Sequence, residues 1–577
     1  MDSLARTDLL LWLEKEFGFS QPNADAMRTV GDAMLAACGK FVYLTPTALK
    51  PVPAQWFKRQ TQHRVTLPEG QTLTEIFLNQ ASRNPSRVII ADQIAGAKSY
   101  RDIIAACLAM RPLIQKLEGD HIGIMLPASV AADITCFAAL FGEKIPVMVN
   151  WTAGVRNITA SLDAVGVKNI LTSKTLVDRI ALQGIDLSAI SSRFCFLEQF
   201  REKLSRIALL GAWLKSHLSW TTLRNIKCDK TAVILFTSGS ETLPKSVPLS
   251  HSNLIANMRE VLSVIKLYET DRLIGFLPPF HSFGLTVTML LPLLAGVQAV
   301  YTPNPNEPDT LAKIIDAYKV TLFLGTPTFV AGILRVATEK QLASVRLAVT
   351  GAEKCPQAVY DSLGEKCKQA TVLEGYGVTE CSPIISLNDE TNPRHFSIGK
   401  ILPGLELLLI HPDTQKPLTP PATGLLLVHG PSVFSGYLNY SGKSPFIEIN
   451  GKSWYNTGDL VCVDQDGLLT FQGRLKRFVK LGGEMISLPA IEAVLEKAFA
   501  PDSDKGPLLA VEAADVENPE IVLFTALDID RENANIQIRK AGLSGLQSIR
   551  RVIKLDQIPL LGTGKTDYRS LKQLLKT

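Results

Sequence analysis

The sequence is short of the patterns that mark several large classes of protein. Its nine cysteines (Cys38, Cys107, Cys136, Cys195, Cys228, Cys355, Cys367, Cys381 and Cys462) are scattered, with no CxxC pair and no histidine cluster at metal-ligand spacing. That argues against structural zinc and suits a reducing cytosol. A strong charge imbalance is missing too: 60 lysines and arginines stand against 55 acids, a net +5 over 577 residues. Such a balance gives no case for nucleic acid and only weak steering toward an acidic partner. The longest strongly apolar window, Met289 to Val300, is well short of the roughly 20 residues that span a bilayer and reads as a buried helix and strand. Met1-Asp2-Ser3 lacks the basic and apolar regions of a signal peptide. A cytoplasmic protein with no transmembrane segment is expected, peripheral contact with the inner face of a membrane being the one variation kept open.

What is present is the composition of a globular protein, 46% hydrophobic and 20% charged, on a chain long enough for two or more units. Apolar strands (Val88 to Ala91, Ile122 to Leu126, Ile145 to Val149, Asn169 to Thr172) alternate with helical patterns, which implies parallel or mixed sheets flanked by helices, an α/β architecture. Pro46, Pro51, Pro53 and the Gln/Arg-rich run to Arg64 read as a linker. Arg193 to Leu223 is amphipathic but irregular; a core-facing helix is the expectation, and a membrane-surface or partner contact the alternative.

The chain is organised around Phe236 to Pro248, FTSGSETLPKSVP. The strand Ala232-Val233-Ile234-Leu235-Phe236 runs into Thr237, Ser238, Gly239 and Ser240, with Lys245 close behind. Hydroxyls and a glycine-freed backbone can donate to phosphate oxygens, and the lysine can neutralise charge. This is not the common P-loop, since Pro244 stands where that motif has glycine. Alone, such a loop is more often a plain turn.

Further loops follow in order. Pro278-Pro279-Phe280-His281-Ser282-Phe283-Gly284 fixes an irregular backbone around His281, which is either a core histidine or a site residue. VRLAVTGAE, ending in Gly351, Ala352 and Glu353, and TVLEGYGVTE, containing Tyr376, Gly377, Thr379 and Glu380, are strands ending in glycine turns. Ligands bind at such strand ends in α/β sheets. A tyrosine there can stack on a base, a threonine can donate to phosphate, and Glu380 can hold Mg²⁺ among phosphate oxygens. Asp459, in WYNTGDL, would ordinarily cap a turn.

These segments together resemble the adenylate-forming superfamily of acyl-CoA synthetases, luciferases and peptide-synthetase adenylation domains, over roughly residues 70 to 570. FTSGSETLPKS is similar to the family's TSGTTGxPKG, with Thr242 and Ser246 in place of two glycines. The resemblance implies a large AMP-binding domain over 71–472 and a small, mobile α+β domain over 473–577. It implies that Asp459 and Arg474 bind ribose and phosphate, that His281 lines the acyl pocket, and that Lys476 is the interdomain pivot. The loop of Gly482, Gly483 and Glu484 would serve thioester formation, and Lys565, in PLLGTGK, would be the catalytic lysine. The stretch GRLKRFVKLGGEMISL looks most like acyl-[acyl carrier protein] synthetases. The implied reaction is ATP-dependent activation of a fatty acid to acyl-adenylate and transfer to the phosphopantetheine thiol of acyl carrier protein. A fatty acyl-CoA ligase, a fatty acyl-AMP ligase and a non-catalytic acyl- or carrier-binding protein are the alternatives.

Residues 1–40 form a short helical extension, with Leu9, Leu10, Leu13 and Phe17 at helical spacing. They resemble an acyl carrier protein from its modification site onward, which makes Ser3 the candidate phosphopantetheine attachment residue. The helix that precedes this serine in carrier proteins has no counterpart here, so either a truncated carrier domain or a degenerate remnant is expected.

Overall fold

The computed structural model describes residues 49–577 apart from 59–61, 183–184, 238–243, 482–483, 501–506, 514–518, 544–546, 561–565 and 576–577. The chain divides into two units at Pro51/Val52, and the expected carrier-like helices with Ser3 lie outside the described residues.

The presumed linker is no loose tether over its described part. Trp56 is wholly buried, its indole donates to the Tyr318 carbonyl, and Val65 and Leu67 join the main core. Thr72 then starts a helix, Leu73–Arg83, through a capping box with Glu75.

Two sheets form the body. One has nine strands, six of them consecutive and parallel: Thr371–Gly377, Leu347–Gly351, Leu322–Gly325, Arg272–Gly275, Gln298–Tyr301 and Val88–Asp92. The other has six, with Asn169–Thr172, His121–Ile124, Ile145–Met148 and Thr231–Phe236 parallel at its centre. Helices cover both faces of such sheets, so these strands read as near-continuous apolar runs. That is why the sequence shows them plainly. Met289 to Val300 is buried as expected, as the end of a π-helical turn, the helix Leu291–Ala295 and the start of the strand Gln298–Tyr301.

The expectation for Arg193 to Leu223 needs correction. Its principal helix, Arg206–Leu218, buries only Ala212 and Ser216. Its large apolar side chains face outward.

A third sheet is antiparallel and is built on the long strand Lys452–Val463, flanked by Ala422–His429 and Leu469–Arg474. Beyond Arg474 come a hairpin (Phe478–Leu481 with Glu484–Ser487), a three-stranded sheet and the helices Leu488–Phe499, Arg531–Lys540 and Tyr568–Leu574. This α+β part has apolar clusters of its own, around Ile491, Leu509 and Leu523 and around Phe524 and Leu571. Arg477 knits it together: its guanidinium bonds Glu492 and the Val511 carbonyl and lies 3.5 Å over the Tyr568 ring. Tyr568 in turn donates to Glu492 at 2.6 Å.

Candidate active site

Parallel pairing sets Gly351 opposite Gly375, so the loops after Leu347–Gly351 and Thr371–Gly377 leave the sheet side by side. The second loop turns back on itself at once. A side chain on Gly377 would begin 1.9 Å from the Pro383 carbonyl oxygen, a distance only glycine can meet. Ala352 takes a left-handed backbone, φ +69°, and is exposed. Glu353 accepts the Thr328 hydroxyl at 2.7 Å.

Tyr376 donates its hydroxyl to Asp459 Oδ2 at 2.5 Å. Asp459 is almost fully buried, while Arg474, its partner across the strand pair, approaches it to 3.3 Å with two thirds of its own side chain exposed. Burial and then the Asp459 carboxylate push the Tyr376 phenol well above its ordinary pKa, so it stays a donor. The same carboxylate raises the Arg474 guanidinium further. Asp459 does not cap a turn: it lies within the strand Lys452–Val463, at an irregularity where Gly458 takes φ +74° and Thr457 Oγ1 accepts the Asp459 backbone N–H at 3.1 Å.

Three residues beyond Gly377, Glu380 is buried and accepts the Tyr437 hydroxyl at 2.7 Å. Tyr437 also connects this carboxylate to the loop of the phosphate motif. The Lys245 ammonium lies 4.6 Å and 4.5 Å above the rings of Tyr437 and Tyr440, a cation–π cradle. The loop is closed at its neck by Thr237 N–H donating to the Lys245 carbonyl and Lys245 N–H donating to Thr237 Oγ1. Ser246 pairs with Leu438, which holds the tyrosines beneath the lysine.

Thr379 approaches Ser282 at 3.3 Å between hydroxyl oxygens, so the PPFHSFG segment meets the YGVTE turn. His281 is half-buried, its ring 4.6 Å from Phe280. The backbone there needs Gly284, where a Cβ would fall 2.2 Å from the Pro278 carbonyl oxygen.

The structure therefore gathers Lys245, Glu380, Tyr376, Thr379, Asp459 and Arg474 at the carboxyl ends of the nine-stranded sheet and the neighbouring edge of the third. Ser238, Gly239, Ser240, Gly482, Gly483 and Lys565 lie outside the described residues, and Lys476 and Glu484 are placed by backbone alone. Sequence reasoning missed Tyr437, 57 positions from Glu380, along with Ser282 and Thr328. Ser282 lies within the PPFHSFG segment but had no role read from it, and no motif signals Tyr437 or Thr328.

A single buried carboxylate beside hydroxyls fits Mg²⁺ in the mode where a nucleotide's phosphates supply most ligands. Among the described residues no group of three His, Cys, Asp or Glu could hold a metal without such help.

The family model described as AMP-binding enzyme matches residues 77–438. The chain is a member of that AMP-binding, adenylate-forming family. It is 27% identical over 491 residues to the long-chain-fatty-acid–CoA ligase of Bacillus subtilis (strain 168), covering 77% of this chain and 85% of that protein. It is equally identical over 447 residues to the medium-chain fatty-acid–CoA ligase of Escherichia coli (strain K12), covering 74% and 76%. Among solved structures, ATP-bound MatB from Rhodopseudomonas palustris shares the fold, with TM-score 0.72, 22% identity and coverage of 87% and 99%. O-succinylbenzoate coenzyme A synthetase from Bacillus subtilis with ATP and magnesium ion does so with TM-score 0.71, 19% identity and coverage of 90% and 100%. The enzyme is an acid–thiol ligase type that forms acyl-adenylates at the expense of ATP. No helix of the described residues is long and apolar enough to cross a membrane.

Proposed function

We propose that the enzyme activates a fatty acid with ATP and passes the acyl group to the phosphopantetheine thiol of an acyl carrier protein. The observation that carries the adenylation half is the joining of Asp459, Tyr376 and Arg474 to Glu380, Tyr437 and Lys245 through the single segment 376–380. Asp459 takes the ribose hydroxyls, with Tyr376 holding its carboxylate in orientation. Arg474 and Lys245 meet the phosphates, Lys245 by leaving its tyrosine cradle. Glu380 would hold Mg²⁺, which supplies positive charge to the phosphate oxygens. Lys565 would bridge the acyl carboxylate and the α-phosphate. Positioned charge of this kind accounts for most of the acceleration of phosphoryl-type transfer. The carboxylate oxygen attacks the α-phosphorus and pyrophosphate leaves; the thiol sulfur then attacks the acyl carbon, losing its proton, and AMP leaves. For the second step the part of the chain from 473 onward rotates about Lys476 and brings Gly482, Gly483 and Glu484 to the cleft.

The carrier protein as acceptor is favoured by GRLKRFVKLGGEMISL and by the carrier-like residues 1–40. Coenzyme A is the second reading, favoured by the names of the bacterial relatives. Parallel incubations with ATP, Mg²⁺ and a fatty-acid mixture, one with coenzyme A and one with holo acyl carrier protein, separate them by mass spectrometry. Acyl-carrier product with little acyl-CoA is expected; acyl-CoA alone would reassign the acceptor. A mass change at Ser3 would mark that residue as a carrier site.

A further inference from the structure

The helix Arg206–Leu218 is inverted relative to an ordinary surface helix. Its small residues, Ala212 and Ser216, are buried, against the helix Tyr100–Ile114. Its large apolar ones are in solvent: Ile207 is 84% exposed, Leu218 80%, Leu210 57%, Trp213 52%, Leu209 46% and Leu214 43%. At 3.6 residues per turn these six cover about half the circumference, along a rod about 20 Å long. Contiguous exposed apolar surface of this kind marks a contact site. The flanks are fastened down instead, by Phe200 before the helix and Leu223 after it, both buried, and by the Trp220 indole donating to the Ser216 carbonyl. The helix is thus held to the body by its small face and its ends, and its apolar face is left outward.

Charge gathers at the same place. Residues 201–230 contain seven lysines and arginines against two acids, a net +5 that equals the formal charge of the whole chain. Arg201, Lys203 and Arg206 stand at the start of the helix and Lys215 near its end, all exposed, and no acid lies on the helix itself. The rest of the chain is neutral in sum, so the formal net charge of the whole is matched by that of this one segment.

We propose that the Arg206–Leu218 helix docks on the surface of an anionic lipid bilayer. It lies in the interfacial plane, with Leu210, Trp213 and Leu214 among the acyl chains and the flanking cations against the headgroups. A broad arc of leucine, isoleucine and tryptophan bordered by lysine and arginine is the pattern of interfacial helices, and each cation near an anionic surface adds attraction. An acidic protein partner would need complementary pockets for six large side chains; a bilayer accepts them in any arrangement. The inference does not depend on the fatty-acid reading, although a fatty acid dissolved in the bilayer would be delivered to the enzyme that way.

Flotation of the full-length protein with phosphatidylcholine vesicles, with and without phosphatidylglycerol, tests it. Binding to the anionic vesicles is expected to weaken as salt rises. The pair Leu210→Gln/Leu214→Gln should lower partitioning by at least about tenfold. Lys203→Gln/Arg206→Gln should lower it by about fivefold per charge and flatten the salt dependence. Thermal unfolding and ATP–pyrophosphate exchange with a short, water-soluble acid should be unchanged in both variants, because the replaced side chains are in solvent and away from the candidate active site. Absence of vesicle binding by the natural protein, or equal binding by the leucine pair, would overturn the proposal. So would a leucine pair that dissociates an oligomer or releases a carrier protein while leaving vesicle binding intact.

Discussion

Tyr376 and Asp459, 83 positions apart, meet across two sheets through a 2.5 Å hydrogen bond from phenol to carboxylate. The bond fixes the orientation of the one buried acid placed to receive ribose hydroxyls, and a charge-assisted bond is strong enough to matter. Tyr376→Phe should raise the KM for ATP by about tenfold, on the scale of one hydrogen bond to a charged group, with kcat little changed. ATP–pyrophosphate exchange measures this. A fall in kcat at unchanged KM would place Tyr376 in the chemical step instead.

The Tyr437 hydroxyl plays the corresponding part for Glu380, and its ring shares the Lys245 ammonium with Tyr440. Tyr437→Phe keeps the ring and removes only the bond to Glu380. The Mg²⁺ concentration for half-maximal adenylation should rise by about tenfold, on the scale of a bond worth about 1.5 kcal/mol. Tyr437→Leu should in addition raise the KM for ATP, since Lys245 loses half its cradle; identical behaviour of the two variants would show that the cradle has no role.

Much of this arrangement was legible in the sequence, for a local reason. The turn that presents Glu380 and the strand irregularity that presents Asp459 need glycines at fixed places, Gly377 because of a close carbonyl and Gly458 because of its positive φ. Those needs write themselves as short motifs. The buried parallel strands were legible because both faces are covered. Tyr437 was not, because the pairing of Ser246 with Leu438 that carries it to Lys245 joins segments almost two hundred residues apart. The orientation of Arg206–Leu218 was not legible either. Periodicity shows that a helix has two faces, but not that alanine and serine are turned inward and leucine outward.

His251 is buried with Nδ1 accepting the Leu73 N–H at 3.1 Å, and burial lowers its pKa to about 4. A folded-state value below the unfolded one means the unfolded chain binds the proton first. Stability should therefore fall as pH drops from about 6.5 toward about 4, by roughly 3 kcal/mol from this residue. Asn at 251 keeps an acceptor for Leu73 and cannot ionise. The difference in unfolding midpoint between His251→Asn and the natural protein should grow in favour of the variant across that window, and a constant difference would refute the assignment.

Asp133 works in the opposite direction. It is fully buried beside Tyr301, in a cleft floored by Leu277, Pro279 and Gly284. The carboxyl and the phenol influence each other's ionisation, and the phenol also donates to the Thr288 carbonyl at 3.4 Å. Burial raises the Asp133 pKa well above the carboxylate range. Its contribution to stability is complete below about pH 4 and is lost as pH rises toward the folded-state value. Asp133→Asn, neutral at every pH, should therefore be more stable than the natural protein at neutral pH by about 1–3 kcal/mol, and the gain should shrink toward pH 4. Chemical denaturation at the two pH values checks this, and a gain that is equal at both would mean the carboxyl is not held neutral.

Lys565 follows from the resemblance and from the chemistry of two anions that must meet. Before the acyl-adenylate forms, a carboxylate approaches the α-phosphate, and a lysine that bridges them offsets a repulsion that is present only in that step. Once AMP has become the leaving group, the same charge is no longer required, and the rotation proposed about Lys476 would carry it away. Lys565→Ala should thus lower acyl-adenylate formation by about a hundredfold or more, the scale of losing one preorganised donor, while thioester formation from supplied acyl-adenylate proceeds at close to the natural rate. Rapid-quench measurement of each half-reaction decides between this and a general role in nucleotide binding, which would depress both halves alike and raise the KM for ATP in the first.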